Sequence, residues 1–144
     1  MDYELQTEIS IDATPETVWA VLTDLDRYPD WNPFVVSSEG AVEVGAKLAN
    51  RMVAPGGRTM TIKPTVTAVE EGRVYEWLGH LLVPGIFDGR HRFEIAPIAA
   101  GTRFKQMEFF TGVLVRPLRT LIDGSTHDGF IAFTDAIKAR AESE

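Results

Sequence analysis

The chain has 144 residues, 24% charged and 44% apolar, with a formal net charge of −7 and no cysteine. That is one domain with enough apolar material for a core, and it excludes disulfides, thiol chemistry and cysteine metal sites. The acidic balance argues against a general nucleic-acid surface, which needs a basic footprint, and no apolar run approaches the roughly 18 residues of a membrane span.

Tyr3, Leu5, Thr7, Ile9 and Ile11 alternate with polar residues, a period of two that predicts a half-buried first strand. Thr14-Pro15-Glu16 then reads as N-cap, first helical residue and first-turn acid. Val18, Val21, Leu22 and Leu25 form the apolar stripe of a helix ending near Asp24. In Tyr28-Pro29-Asp30-Trp31-Asn32-Pro33 the prolines leave room for only a short helical turn. Strands are predicted over 35–39, 47–54, 58–69, 74–82, 87–97 and 102–113, with a Pro55-Gly56-Gly57 turn after the second of these. Pro64 confines its strand to an edge or a bulge, because it has no N–H to give. The acidic start, Met1-Asp2-Tyr3-Glu4, lacks a signal-peptide pattern, so a cytoplasmic setting is expected.

A long helix over 115–141 closes the chain. Leu118, Leu121, Ile122, Phe130, Phe133 and Ile137 recur at three and four residues and so share a face. Such a helix is about 40 Å long and needs a wide apolar surface to cover it. Gly124 and Gly129 each cost roughly 1 kcal/mol in a helix interior. They bend one helix where it crosses something other than a packed sheet, or they break it, with Ser125 and Asp128 forming a weak capping box. One bent helix is the expectation. The order of elements, strand, two helices, six strands and long helix, indicates an antiparallel α+β fold in a single domain.

This order and several strings resemble the helix-grip superfamily (START-like or SRPBCC proteins), in particular its polyketide cyclase/dehydrase branch. Tyr28-Pro29-Asp30-Trp31-Asn32-Pro33 is the most specific match. Thr14-Pro15-Glu16-Thr17-Val18-Trp19, Gly101-Thr102, Glu108 four residues before Gly112, and the run from Ala136 to Glu142 are also similar to that branch. The resemblance implies a curved seven-stranded antiparallel sheet around the C-terminal helix, with a cavity between them for an apolar small molecule.

Glu108 is the residue that points to chemistry. It shares the inward face of its strand with Phe104, Gln106 and Phe110, and a carboxylate on a buried face must be paired, hydrogen-bonded or protonated. His91 and Gln106 share the inward faces of this strand and its neighbour. The three form either a polar anchor or acid/base pair at the end of an apolar pocket, or a purely structural network. With the resemblance, Trp31, Phe34, Met60, Ile62, Tyr75, Trp77, Phe93, Phe110, Leu121 and Phe130 become candidate cavity residues beside His91, Gln106 and Glu108. Trp31 is expected near the cavity mouth or as a plug closing the sheet end. His80 is expected exposed, and His127 reaches cavity or solvent. The histidines show no metal-site spacing, and no nucleophile elbow, phosphate loop or dinucleotide fingerprint is present, so neither metal nor cofactor is expected. Arg90, Arg92, Arg103 and Lys105 fall together on the outer face, as a solvated surface or an acidic-partner patch.

Three functions remain open at this point. The leading one is binding or transport of a lipid, polyketide or isoprenoid. The second is a cyclase or dehydratase in which His91 and Glu108 move protons. The third is an interaction protein with an exposed apolar patch over 81–86.

Overall fold

The computed structural model describes residues 3–54, 56–81 and 83–144; the expected turn residue Pro55 and the expected strand end Leu82 lie outside the described residues. Strand β1 (Tyr3–Ile11) leads to helix α1 (Pro15–Thr23), one 3-10 turn (Leu25–Arg27) and the short helix α2 (Tyr28–Trp31). Thr14 caps α1, its hydroxyl oxygen accepting from Thr17 N at 3.2 Å. Strands β2 (Val35–Glu39), β3 (Ala49–Val53), β4 (Thr59–Ile62), β5 (Thr65–Glu70), β6 (Val74–Leu81), β7 (Phe87–Ile98) and β8 (Gly101–Thr111) follow. Helices α3 (Val115–Leu121) and α4 (His127–Glu142) end the chain, joined by a π turn at Ile122–Thr126. Among the described residues no helix is long and apolar enough to cross a membrane.

The class is α+β, as expected, but among the described residues the strands number eight, not seven, and form two antiparallel sheets, β1-β8-β7-β6-β5 and β2-β3-β4. Pro64 makes the difference. Lacking an N–H, it divides the strand expected over 58–69, so that β4 pairs with β3 while β5 pairs with β6. The sheets stay joined where they divide: Leu48 N donates to Pro64 O at 2.8 Å, and Val66 N to Ala46 O at 2.8 Å. A bulge between Val66 and Ala68 shifts the register further. Val66 is therefore buried, whereas Ala68, expected on the same face, is only half-buried.

Strand β1 runs along β8 from Tyr3↔Phe110 to Ile11↔Thr102, tying the first strand to the last. Gly101, at φ 133°, begins β8 where a side chain would strike the backbone of Ile11 and Ala13, and Thr102 Oγ1 donates to Ala13 O at 2.7 Å.

The terminal helix is continuous. Ile122 and His127, at either end of the π turn, keep helical angles (φ −64°, ψ −46° and φ −62°, ψ −42°). The weak residues Asp123 to Thr126 widen one turn instead of ending the helix. Ser125 caps nothing: its Oγ donates to Leu121 O at 3.2 Å and accepts from Gly56 N at 2.9 Å. The inward stripe is Val115, Ile122, Thr126, Phe130, Phe133 and Ile137, all buried. Leu121 was expected on it but is 40% exposed, since it stands about 100° around the helix from Ile122.

Candidate functional site

Between the two sheets and the π turn lies a cavity of about 60 Å³. One wall is the small sheet and the residue after it: Met52, Val53 and Ala54, then Met60 and Ile62. The opposite wall is the large sheet, with Trp77, Gly79 and His80 of β6, Phe87 and Gly89 of β7, and Glu108 and Phe110 of β8. Phe34 and Thr126 complete the lining. The helix thus crosses the cavity at its widened turn, which is where the sequence weakened it.

Two glycines leave this end of the fold open. Gly79 and Gly89 are direct partners across β6 and β7, so the sheet carries no side chains at that point. A methyl group at Gly79 would lie 3.2 Å from Ile62 Cδ1. At Gly89 it would collide with the Glu108 carboxyl, which folds across the bare backbone with Oε2 nearest. A glycine inside a strand marks a close approach, and here the approaching group is the acid. That was the available signal for Gly89, a residue the sequence reading passed over together with Met52, Val53, Ala54, Gly79, Phe87 and Thr126. His80 is exposed, as expected, with Nδ1 2.7 Å from Asp88 Oδ1, but it also stands at the rim.

Behind Glu108 runs a buried polar relay. Gln106 Nε2 donates to the Phe130 carbonyl at 3.3 Å, which turns Gln106 Oε1 toward His91 Nε2 at 2.7 Å. An amide oxygen only accepts, so His91 carries a proton on Nε2. Its other nitrogen, Nδ1, faces Glu108 Oε1 at 3.5 Å and is buried with no hydrogen-bond partner among the described residues. His91 itself is 0% exposed and lies behind the wall, whereas Glu108 belongs to the lining. The Thr126 hydroxyl is likewise buried with no partner among the described residues, on the helix side.

Of the expected site residues, Phe34, Met60, Ile62, Trp77, Glu108 and Phe110 line the cavity. Tyr75, His91, Phe93, Gln106 and Phe130 face inward as predicted but do not reach it. They pack on one another and on Phe133: His91 to Phe93 at 4.6 Å, His91 to Phe130 at 5.0 Å, Phe93 to Phe133 at 5.3 Å and Tyr75 to Phe93 at 5.9 Å between ring centres. The Tyr75 hydroxyl is buried without a partner among the described residues, and burial pushes its pKa up. Trp31 is not at the mouth; it stands edge-on to Tyr28 at 5.3 Å and to Phe133 at 5.6 Å, beside a separate depression with Asp24, Arg27 and Arg140. Leu121 lies outside, against the β3–β4 turn at Gly56. His127 is half-buried and not part of the lining.

The motif at 28–33 positions the site from a distance. Asn32 Oδ1 accepts from Phe34 N and Val35 N, both at 2.9 Å, and this aims Phe34 between Phe130 and the cavity. The Tyr28 hydroxyl anchors the same segment to Leu22 O at 2.5 Å. On the outer face, Arg90 and Arg92 converge on Glu76 at 2.9 and 3.1 Å. Burial raises the Glu76 pKa, but hydrogen bonds from Thr67, Arg90 and Arg92 outweigh it and hold the carboxyl below its usual range. The expected basic patch is therefore largely committed to this acid, and Arg103 lies 3.9 Å from Glu8. Among the described residues no three His, Asp or Glu side chains converge as metal ligands.

A family model described as polyketide cyclase/dehydrase and lipid transport matches residues 3–142. No curated protein matches the sequence. Among solved structures, the Zhui aromatase/cyclase from Streptomyces sp. R1128 superposes with a TM-score of 0.81 at 16% identity, over 99% of this chain and 94% of that one. The di-domain ARO/CYC StfQ of the steffimycin pathway gives 0.79 at 13% identity, over 99% of this chain and 52% of that one. Protein MLL2253 from Mesorhizobium loti gives 0.74 at 20% identity, over 95% of each chain. At these identities the likeness is one of fold.

Proposed function

The chain belongs to the polyketide cyclase/dehydrase and lipid-transport family, and from that premise we propose that it binds a small apolar molecule, such as a lipid, polyketide or isoprenoid, between its sheets and its C-terminal helix. The observation that carries this reading is a largely apolar wall that holds one acid, Glu108, with Thr126 and the rim residue His80 as its other polar side chains. Ligand pockets are built this way, with an apolar lining and a few convergent polar groups. The cavity of about 60 Å³ is well below the roughly 150 Å³ that holds a benzene. It takes the head of a ligand, and the rest lies along the opening or displaces Met52 and Met60, whose unbranched side chains repack readily.

The test is titration of a neutral apolar dye into wild type and Met60→Trp, a variant that fills the opening from the edge strand, alongside native mass spectrometry of the protein from cells. Saturable binding that is lost in Met60→Trp with unchanged circular dichroism supports the proposal. Absence of both dye binding and any native adduct in wild type, or undiminished dye binding in Met60→Trp, overturns it.

A cyclase or dehydratase is the second reading, favoured by the 3.5 Å approach of His91 Nδ1 to Glu108 Oε1. Only Glu108 would touch substrate; His91, behind the wall, would act through it as a positioning residue. Unchanged turnover in Glu108→Gln would remove this role.

A further inference from the structure

We infer that the pocket selects apolar molecules carrying a hydrogen-bond donor head, an amine, alcohol or phenol, and rejects those ending in a carboxylate. This rests on the binding role proposed above and adds the polarity of the ligand to it.

The argument starts from Gln106. Its amide is fixed by the Phe130 carbonyl, so His91 Nε2 must donate to it and Nδ1 is left facing Glu108 Oε1. Oε1 is turned toward His91 Nδ1 at 3.5 Å, so the other carboxyl oxygen, Oε2, is the one left to accept from a ligand. That oxygen is the one lying over Gly89, in the cavity floor. Across from it, Thr126 contributes a buried hydroxyl that has no partner among the described residues. Buried polar groups require partners, and a donor in the ligand supplies one to Oε2. Among the described residues no Lys or Arg belongs to the lining, and the lining imidazole, His80 at the rim, is paired with Asp88 at 2.7 Å. An anionic head would therefore be buried against an acceptor with no cation to offset it, which is strongly unfavourable. The net charge of −7 adds a long-range bias in the same direction.

The probes are four one-ring molecules of similar size: toluene, benzyl alcohol, benzylamine and benzoate. They are titrated into wild type, Glu108→Gln and Gly89→Ala by calorimetry or NMR. The last variant keeps the acid but pushes its flexible end aside. In wild type, benzyl alcohol or benzylamine is expected to bind about tenfold tighter than toluene, and benzoate about tenfold weaker. In both variants that spread, read as affinity ratios within each variant and independent of any change in toluene affinity itself, should compress to about threefold. Equal affinities for all four in wild type, or tighter binding of benzoate, overturn the inference while apolar binding stands. So does a spread that survives in both variants. If none of the four binds although the neutral dye does, this inference alone fails; if the dye fails as well, the binding role falls with it.

Discussion

The gap between sheet and helix has two ends, built from the same elements and filled differently. At one end Phe93, Phe104, Phe130 and Phe133 close the space with rings, and none of the four is more than 1% exposed. At the other, strands β6 and β7 carry Gly79 and Gly89 as direct partners, and the wall is bare enough for Glu108 to fold across it. Helix α4 is regular over the filled end, whereas the π turn lies over the open one. A helix-grip architecture therefore does not by itself make a cavity. The choice between aromatic and glycine at matching inward positions decides where one lies, and only the glycine end has room for a carboxyl group.

The largest effect should come from opening the filled end. Phe133 is fully buried between Phe93, Phe104 and Trp31, with ring centres 5.3, 6.2 and 5.6 Å away. Phe133→Ala is expected to cost about 3–5 kcal/mol in urea unfolding, the transfer of the ring plus the void left behind. A loss below about 1 kcal/mol would mean that this end is as loosely packed as the other, and the contrast would disappear.

A smaller effect is expected at the boundary between the ends. Gly129 costs the helix propensity, yet a methyl group there would overlap the Phe34 ring, which is 1% exposed and forms part of the cavity wall. Gly129→Ala should recover about 1 kcal/mol of propensity and lose about 1–3 kcal/mol to overpacking. The net change expected in a urea titration is a modest destabilisation, with weakened dye binding as Phe34 moves. At Gly124 the same methyl would meet nothing within 4 Å, so one helix contains a glycine required by packing and one that is not. Net stabilisation on Gly129→Ala would show that Phe34 yields freely and does not define the wall.

Much of this was legible in the residues. Period-two alternation placed Tyr75, Trp77, His91, Phe93, Gln106, Glu108 and Phe110 on inward faces, and all are buried. Alternation gives the face and not the depth. Successive inward residues are about 7 Å apart along a strand, so Phe93 and Gly89 have the same parity and lie at opposite ends of the gap. The expected cavity set therefore mixed core residues with true lining. The single strand over 58–69 failed for a local reason: Pro64 does mark an edge, since β4 and β5 are both edge strands and a bulge follows at Val66–Ala68, but it also turns the chain from one sheet to the other. Gly89 was missed because a glycine offers no chemistry of its own; its effect is to leave room for the chemistry of Glu108.

The smallest stability effect, and the sharpest test of the contrast, lies at Gly79. Its backbone φ is not in the left-handed region, so alanine is allowed there. The added methyl would stand 3.2 Å from Ile62 Cδ1 and 3.6 Å from Pro64 Cβ. Ile62 is only half-buried, and its terminal carbon can move by the few tenths of an ångström required. Against that small cost, replacing glycine removes about 0.4–1 kcal/mol of unfolded-chain entropy. Gly79→Ala is thus expected to leave the urea midpoint nearly unchanged or slightly raised. The methyl nevertheless takes up floor space in a cavity of about 60 Å³, so affinity for the neutral dye should fall severalfold. A variant that keeps both its stability and its dye affinity would show that the bare strand pair is incidental to binding, whereas a stable variant that no longer binds ties the ligand to the glycine end of the gap.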